Sequence, residues 1–139
     1  MRRTWAAWGS PAAVAIMIAG FAGVVSAWFD WTISGSARRD SYASLRAAQR
    51  LGIEELTPYR VAWFLVPVAV LAIAALLIAQ ADRTAGLLGV VTGLVLVGFG
   101  VGVLMTPVAA GFGPWLSCIA GLSAVGASVA LIAQGRGQS

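Results

Sequence analysis

The 139-residue chain contains no histidine, no lysine and a single cysteine, Cys118. Without histidine it cannot form a Ser-His-Asp catalytic triad, a His-ligated haem site or a zinc site of cysteine and histidine ligands. A lone thiol also cannot form a disulfide bond within the chain. These absences exclude the most frequent catalytic and metal-binding arrangements, so we expect neither a metal ion nor any other cofactor.

Charged residues are also scarce. They make up 10% of the chain, against about a quarter in an ordinary soluble domain. Hydrophobic residues account for 60%, and the mean hydropathy is +0.89. The basic residues are nine arginines at the ends of apolar runs or in one loop, as is typical of the flanks of membrane spans rather than of a nucleic-acid-binding surface. The composition therefore predicts an integral membrane protein with one domain, residues 1–139, and no nucleic-acid partner.

Four apolar runs without Asp, Glu or Arg approach or exceed the length needed to cross a membrane, about 17–25 helical residues. Because backbone polar groups cannot stay unpaired in lipid, each run is predicted to be α-helical. The predicted spans are residues 11–29, 61–80, 86–105 and 115–134. The first run also resembles a signal peptide, but we expect it to be retained as a span. The predicted fold class is therefore all-α, a four-helix transmembrane bundle.

The arginine distribution bears on orientation. With both termini in the cytoplasm, four arginines lie inside and five lie in the first loop outside, so the count alone does not decide. The paired Arg2 and Arg3 at the start, and the short connection 81–85, favour cytoplasmic termini. We predict this orientation in the plasma membrane.

Residues 30–60 form the longest hydrophilic segment. Within it, residues 37–51 predict a short amphipathic helix that Ser36 caps and Gly52 ends. At about 100° per residue, three arginines share one face of this helix. These residues are Arg39, Arg46 and Arg50.

This basic face is predicted to contact lipid phosphates or the acidic groups of a partner protein. The alternative is a solvated segment over the bundle, with ordinary ion pairs to Glu54 and Glu55. Trp28 and Trp31 stand at the predicted membrane boundary and are expected to join the same contact surface. For these tryptophans the alternative is a plain aromatic belt.

Small residues recur at helical spacing in the first and third spans. Such faces let membrane helices approach closely, because helix association in lipid gains little from the hydrophobic effect. They serve either packing within the bundle or docking on another subunit. The residues are Ala15, Ala19, Gly23 and Ala27 in the first span, and Gly89, Gly93, Gly98 and Gly102 in the third.

The function prediction follows from the lack of chemistry inside the membrane. Intramembrane catalysis and ion transport usually require an ionisable group at depth, and the four runs contain none beyond Cys118. We therefore expect a non-enzymatic accessory or interaction subunit of a larger, permease-like membrane complex, in contact with membrane lipids. The alternative is a self-contained homo-oligomeric carrier or channel for lipid or a small apolar solute.

A family resemblance points in the same direction. It rests on the arginine-only basic set, the Ala- and Gly-rich spans and the loop sequence Ser36-Ala37-Arg38-Arg39-Asp40-Ser41-Tyr42. In these features the chain resembles small four-span accessory proteins of actinobacteria, such as accessory subunits of mammalian-cell-entry (Mce) lipid-import complexes. The resemblance implies docking beside the permease subunits of a lipid importer, with no ATP or substrate chemistry in this chain.

Overall fold

The computed structural model describes residues 10–52 and 56–136. Within these ranges four long or medium helices pack as a bundle, and a short helix and three short strands lie at one end of it. The elements are α1 (Pro11–Ser26), β1 (Thr32–Ser34), β2 (Ala37–Arg39), α2 (Ser41–Arg50), α3 (Thr57–Ile78), α4 (Asp82–Leu104), β3 (Ala109–Ala110) and α5 (Phe112–Arg136).

Three of the helices, α3, α4 and α5, are long and apolar enough to cross a membrane. They confirm the predicted helices at 61–80, 86–105 and 115–134, although each begins three or four residues earlier than expected. The first predicted span, 11–29, is helical only over the 16 residues of α1, because residues 27–29 form a turn. At about 1.5 Å per residue α1 is about 24 Å long, which is shorter than a hydrocarbon core of about 30 Å.

The helices run alternately up and down. Around the bundle α1 neighbours α5, α5 neighbours α4, and α4 neighbours α3, which closes the ring against α1. One buried apolar cluster joins the start of α1 to the end of α3, and a second joins the end of α1 to the start of α3. At the first of these ends the Ser10 hydroxyl donates to Gln134 Oε1 at 3.0 Å, which ties the start of α1 to the end of α5.

The closest packing in the bundle is between α4 and α5. Three glycines of α4 face three small or compact residues of α5, and both sets repeat every seven residues. The antiparallel pairs are Gly100 with Pro114, Gly93 with Gly121, and Gly86 with Ser128. A seven-residue repeat keeps one face toward the neighbouring helix along a left-handed crossing. The prediction from the sequence used a four-residue spacing, which identified Gly89 and Gly93 but missed Gly86 and Gly100.

A small antiparallel sheet was not predicted. Its strand order is β2-β1-β3, with Ile33 opposite Arg38 on one side and Ala109 on the other. Gly35, at φ 61°, allows the two-residue turn between β1 and β2. The purely α-helical prediction is therefore wrong in this segment.

The helix expected over residues 37–51 is shorter than predicted. Residues 37–39 belong to β2, and α2 begins at Ser41 after the N-cap Asp40, whose carboxylate accepts from the Ala43 backbone N–H at 2.7 Å. Ser36 is therefore not the N-cap, because it lies in the hairpin turn. Gly52 follows the helix at φ 82°, as expected for a left-handed stop. The helix is amphipathic, with both of its arginines exposed.

The α4–α5 packing predicts opposite effects for two glycines of the same helix. A Cβ at Gly93 would lie 2.7 Å from the Gly121 carbonyl oxygen, whereas a Cβ at Gly98 meets nothing within 4 Å. Gly93→Ala should therefore lower the free energy of unfolding by about 1–3 kcal/mol, since backbone atoms must move apart. Gly98→Ala should be neutral or raise it by up to about 1 kcal/mol. Thermal unfolding in detergent measures both, and equal shifts for the two variants would contradict this packing.

Two buried serines of α5 give a second prediction. Ser117 Oγ donates to the Leu96 carbonyl oxygen at 2.8 Å, whereas Ser128 Oγ has no hydrogen-bond partner in the described part of the chain. Both are completely buried. Ser117→Ala should cost about 1 kcal/mol, whereas Ser128→Ala should be neutral or stabilising, because it removes a desolvated hydroxyl that has no partner. A larger loss of melting temperature for Ser128→Ala than for Ser117→Ala would refute this assignment.

Candidate functional site

The polar end of the bundle is covered by residues 27–52 and 105–111, which we call the loop layer. It contains β1, β2, α2 and β3, together with four arginines. These are Arg38, Arg39, Arg46 and Arg50. The β1–β2 hairpin and α2 come directly after α1 and before α3. The loop layer is therefore held at the end of the bundle by those two helices and by α5, which follows β3.

Ser41 connects the loop layer to two helices. Its Oγ donates to the Ala27 carbonyl oxygen at 2.9 Å and accepts a hydrogen bond from Trp63 Nε1 at 3.0 Å. Its backbone N–H also donates to the Ala27 carbonyl oxygen, at 3.1 Å. Because Trp63 belongs to α3 and Ala27 directly follows α1, one hydroxyl fixes the start of α2 against both helices.

Trp31 lies in the interior of this end. Its indole Nε1 donates to the Ser26 carbonyl oxygen at 2.6 Å, and its ring packs edge-on against Trp63 with centroids 4.8 Å apart. Its backbone N–H donates to the Arg39 carbonyl oxygen, and its carbonyl oxygen accepts from Gly111. Only 2% of the Trp31 surface is exposed. These contacts hold the loop layer together. The structure does not bring Trp31 to the surface with the other predicted contact residues.

Trp28, in contrast, is 63% exposed. It packs edge-on against Tyr42 of α2, with ring centroids 6.2 Å apart, and Tyr42 in turn contacts Phe64 of α3. Burial raises the pKa of the Tyr42 phenol, and the nearby Asp40 charge raises it further. The phenol is therefore uncharged at neutral pH, which suits a position against two aromatic rings.

The three predicted arginines do lie together. Arg39 comes from β2, and Arg46 and Arg50 come from α2. They line one groove of about 570 Å³ with Ala43, Ala47 and Leu51. All three were predicted to lie on one helix, whereas Arg39 reaches the same surface from strand β2.

A second groove lies between α2 and the first turns of α3. It has a volume of about 350 Å³, and its walls combine aromatic and aliphatic side chains with two guanidinium groups. The lining residues are Trp28, Tyr42, Leu45, Arg46, Arg60 and Phe64. Sequence reasoning missed Tyr42, Leu45, Arg60 and Phe64 as site residues. Helical spacing could have indicated them, because Arg60 and Phe64 are four residues apart, as are Tyr42 and Arg46, so each pair shares one face of its helix.

The acidic groups of the loop layer are already engaged. Asp30 forms an ion pair with Arg38 at 3.0 Å, and Asp40 caps α2. Arg60 donates to the neutral Gln49 Oε1 at 2.6 Å. Within residues 10–52 and 56–136, no carboxylate lies within ion-pair distance of the four arginines that line the two grooves. Glu54 and Glu55, the expected ion-pair partners, lie outside the described residues.

The small-residue faces divide into three groups. Gly23 packs on Leu96 of α4, and Ala19 and Ala27 are also buried, whereas Ala15 is exposed. Gly89 and Gly93 face α5 inside the bundle. Gly98 and Gly102 are exposed on the outer face of α4, where an added Cβ would meet nothing within 4 Å. Most of these residues therefore pack inside the bundle, whereas Ala15, Gly98 and Gly102 remain exposed.

Among the described residues no three Asp, Glu, Cys or His side chains are close enough to hold a metal ion. Comparison of the chain with protein-family models, with curated proteins and with solved structures finds no match.

The role of Ser41 can be tested by its removal. Ser41→Ala should lower the free energy of unfolding by about 2 kcal/mol, since the buried Trp63 N–H loses its acceptor and the Ala27 carbonyl loses one donor. Amide hydrogen exchange over residues 27–52 should become faster. Ser36→Ala, in the exposed hairpin turn, is the matched control and should leave both quantities unchanged. Equal exchange rates in the two variants would show that Ser41 does not hold the loop layer.

Proposed function

We propose that the protein is a non-catalytic integral membrane subunit that docks on a larger membrane complex through the outer face of α4. In this proposal α1 crosses the membrane beside the three longer helices, which makes four spans in all. Both termini lie in the cytoplasm, and the loop layer lies on the opposite side of the plasma membrane. The complex we propose is a lipid importer of the Mce type, on the sequence resemblance described above.

The observation that carries the docking proposal is the open glycine pair on α4. Gly98 and Gly102 stand one helical turn apart and point outward, and an added Cβ at either would meet nothing within 4 Å. The other glycines of α4 all pack against neighbouring helices of the bundle. A glycine surface without a neighbour permits close approach by a helix of another protein, which is how membrane helices associate.

The packing of the interior also favours an interaction subunit over a pore through the bundle. Leu96 and Ile16 are almost completely buried at the centre, where α1, α4 and α5 meet. Between α4 and α5 the backbones approach so closely that even a methyl group would clash. A single copy of the bundle is therefore filled by its own side chains along this line of contact.

The α4 face can be tested by adding bulk to the open glycines. The double variant Gly98→Ile and Gly102→Ile should lose the large partner when the chain is purified from its native membrane in a gentle detergent. The control Val91→Ile adds a methylene group to the same outer face, two turns away, and should retain the partner. Melting temperatures of the isolated chains should remain close to the wild-type value, because neither glycine has a neighbour to displace.

Two results would overturn the proposal. One is retention of the partner at the wild-type level by the double variant. The other is recovery of the wild-type chain only with copies of itself, which would favour the homo-oligomeric carrier or channel.

A further inference from the structure

The groove between α2 and α3 combines an apolar wall with two arginines that have no acidic partner among the described residues. Arg46 projects from α2, and Arg60 projects from the first turn of α3. Between them the groove is lined by Tyr42, Leu45 and Phe64. Paired guanidinium groups suit a phosphate, because each presents a fork of N–H donors to its oxygens. The apolar wall suits a hydrocarbon chain rather than water.

The groove lies at the level where a membrane surface meets the bundle. Exposed aromatic side chains surround this end, as they do at the headgroup level of membrane proteins. These residues are Trp28, Phe29, Tyr59, Phe112 and Trp115. Arg60 stands immediately before the apolar run of α3, so its charge lies at the boundary between headgroups and hydrocarbon.

The outer face of α3 continues the apolar wall toward the membrane interior. Phe64, Val68 and Leu71 follow one another at helical spacing, and each is more than half exposed. An acyl chain that starts at the groove can therefore lie along α3. A single ligand that places a phosphate at the two arginines and an acyl chain along these three residues is a lipid.

We propose that this groove is a binding site for one anionic phospholipid, whose phosphate contacts Arg46 and Arg60 and whose acyl chain lies against Phe64. The preference for a net negative headgroup arises because the two guanidinium charges have no carboxylate partner within residues 10–52 and 56–136. A zwitterionic headgroup would bring its own cation near the same arginines. This site goes beyond the proposed docking function and does not depend on it, since the lipid binds to the isolated chain.

The test uses the purified full-length chain and native mass spectrometry with added lipid. Phosphatidylglycerol should remain bound at lower concentrations than phosphatidylcholine of the same acyl chains. Arg46→Gln should weaken phosphatidylglycerol binding about tenfold, as expected for loss of one charge-assisted contact. The double variant Arg46→Gln with Arg60→Gln should remove the preference over phosphatidylcholine.

Matched controls separate the site from general charge attraction. Arg50→Gln removes the same charge from α2 but lies in the other groove, so it should leave the preference intact. Phe64→Ala should weaken both lipids, whereas Leu87→Ala, on the outer face of α4, should weaken neither. Because Arg46 is exposed and forms no ion pair with a described residue, its variant should fold normally even if loss of the Arg60–Gln49 bond destabilises the double variant.

Three outcomes would overturn the proposal. An equal effect of Arg46→Gln and Arg50→Gln would show that only net charge matters. Displacement of the lipid by inorganic phosphate at equal concentration would show a free-phosphate site. Tight binding of an acidic peptide that is unaffected by Phe64→Ala would show that the groove takes a protein segment.

Discussion

The backbone approach of α4 and α5 is the constraint on which the rest of this bundle depends. In lipid, apolar side chains gain nothing by leaving the surrounding hydrocarbon, so helices associate where atoms can pack closely. Here Gly93 and Gly121 bring two backbones so near that a Cβ on either would lie within 2.7 Å of the opposite carbonyl oxygen. This contact aligns the two helices in one register over most of their length. The remaining helices pack on the resulting pair, with Gly23 of α1 against Leu96 of α4.

The loop layer is attached to this pair through α5. The backbone N–H of Gly113, in the first turn of α5, donates to the Asp30 carbonyl oxygen at 2.9 Å, and Gly113 lies directly against the Trp31 ring. Trp31 then packs on Trp63, and Trp63 bonds Ser41 at the start of α2. The position of α2 over α3, and so the distance between the arginines of the second groove, follows from this chain of contacts. A structural core of tryptophan and serine thus supports a surface of arginine and aromatic residues.

Predictions from the sequence were most accurate where the chain is long and uniformly apolar. The helices α3, α4 and α5 follow from runs without charge, since a backbone in lipid has few alternatives to a helix. The sheet was missed because strands of two or three residues are too short to show an alternating pattern. The start of α2 was misplaced because Asp40 caps the helix after the hairpin has already used residues 37–39. Trp31 was expected at the surface because it stands at the end of an apolar run, and nothing in its neighbours along the chain indicates that Trp63 covers it.

The sequence by itself determined the three helices that are long and apolar enough to cross a membrane, and the uncharged runs 61–80, 86–105 and 115–134 within them. These features depend on composition and run length alone. Only the tertiary structure decided which glycines pack inside and which face outward, and only it brought Arg46 and Arg60 to one groove. The physical reason is that these helices are apolar on every side. Helical spacing then shows which residues share a face, but no polar face remains to indicate which side meets a neighbour and which meets lipid. The side that meets a neighbouring helix is decided by close packing between the helices.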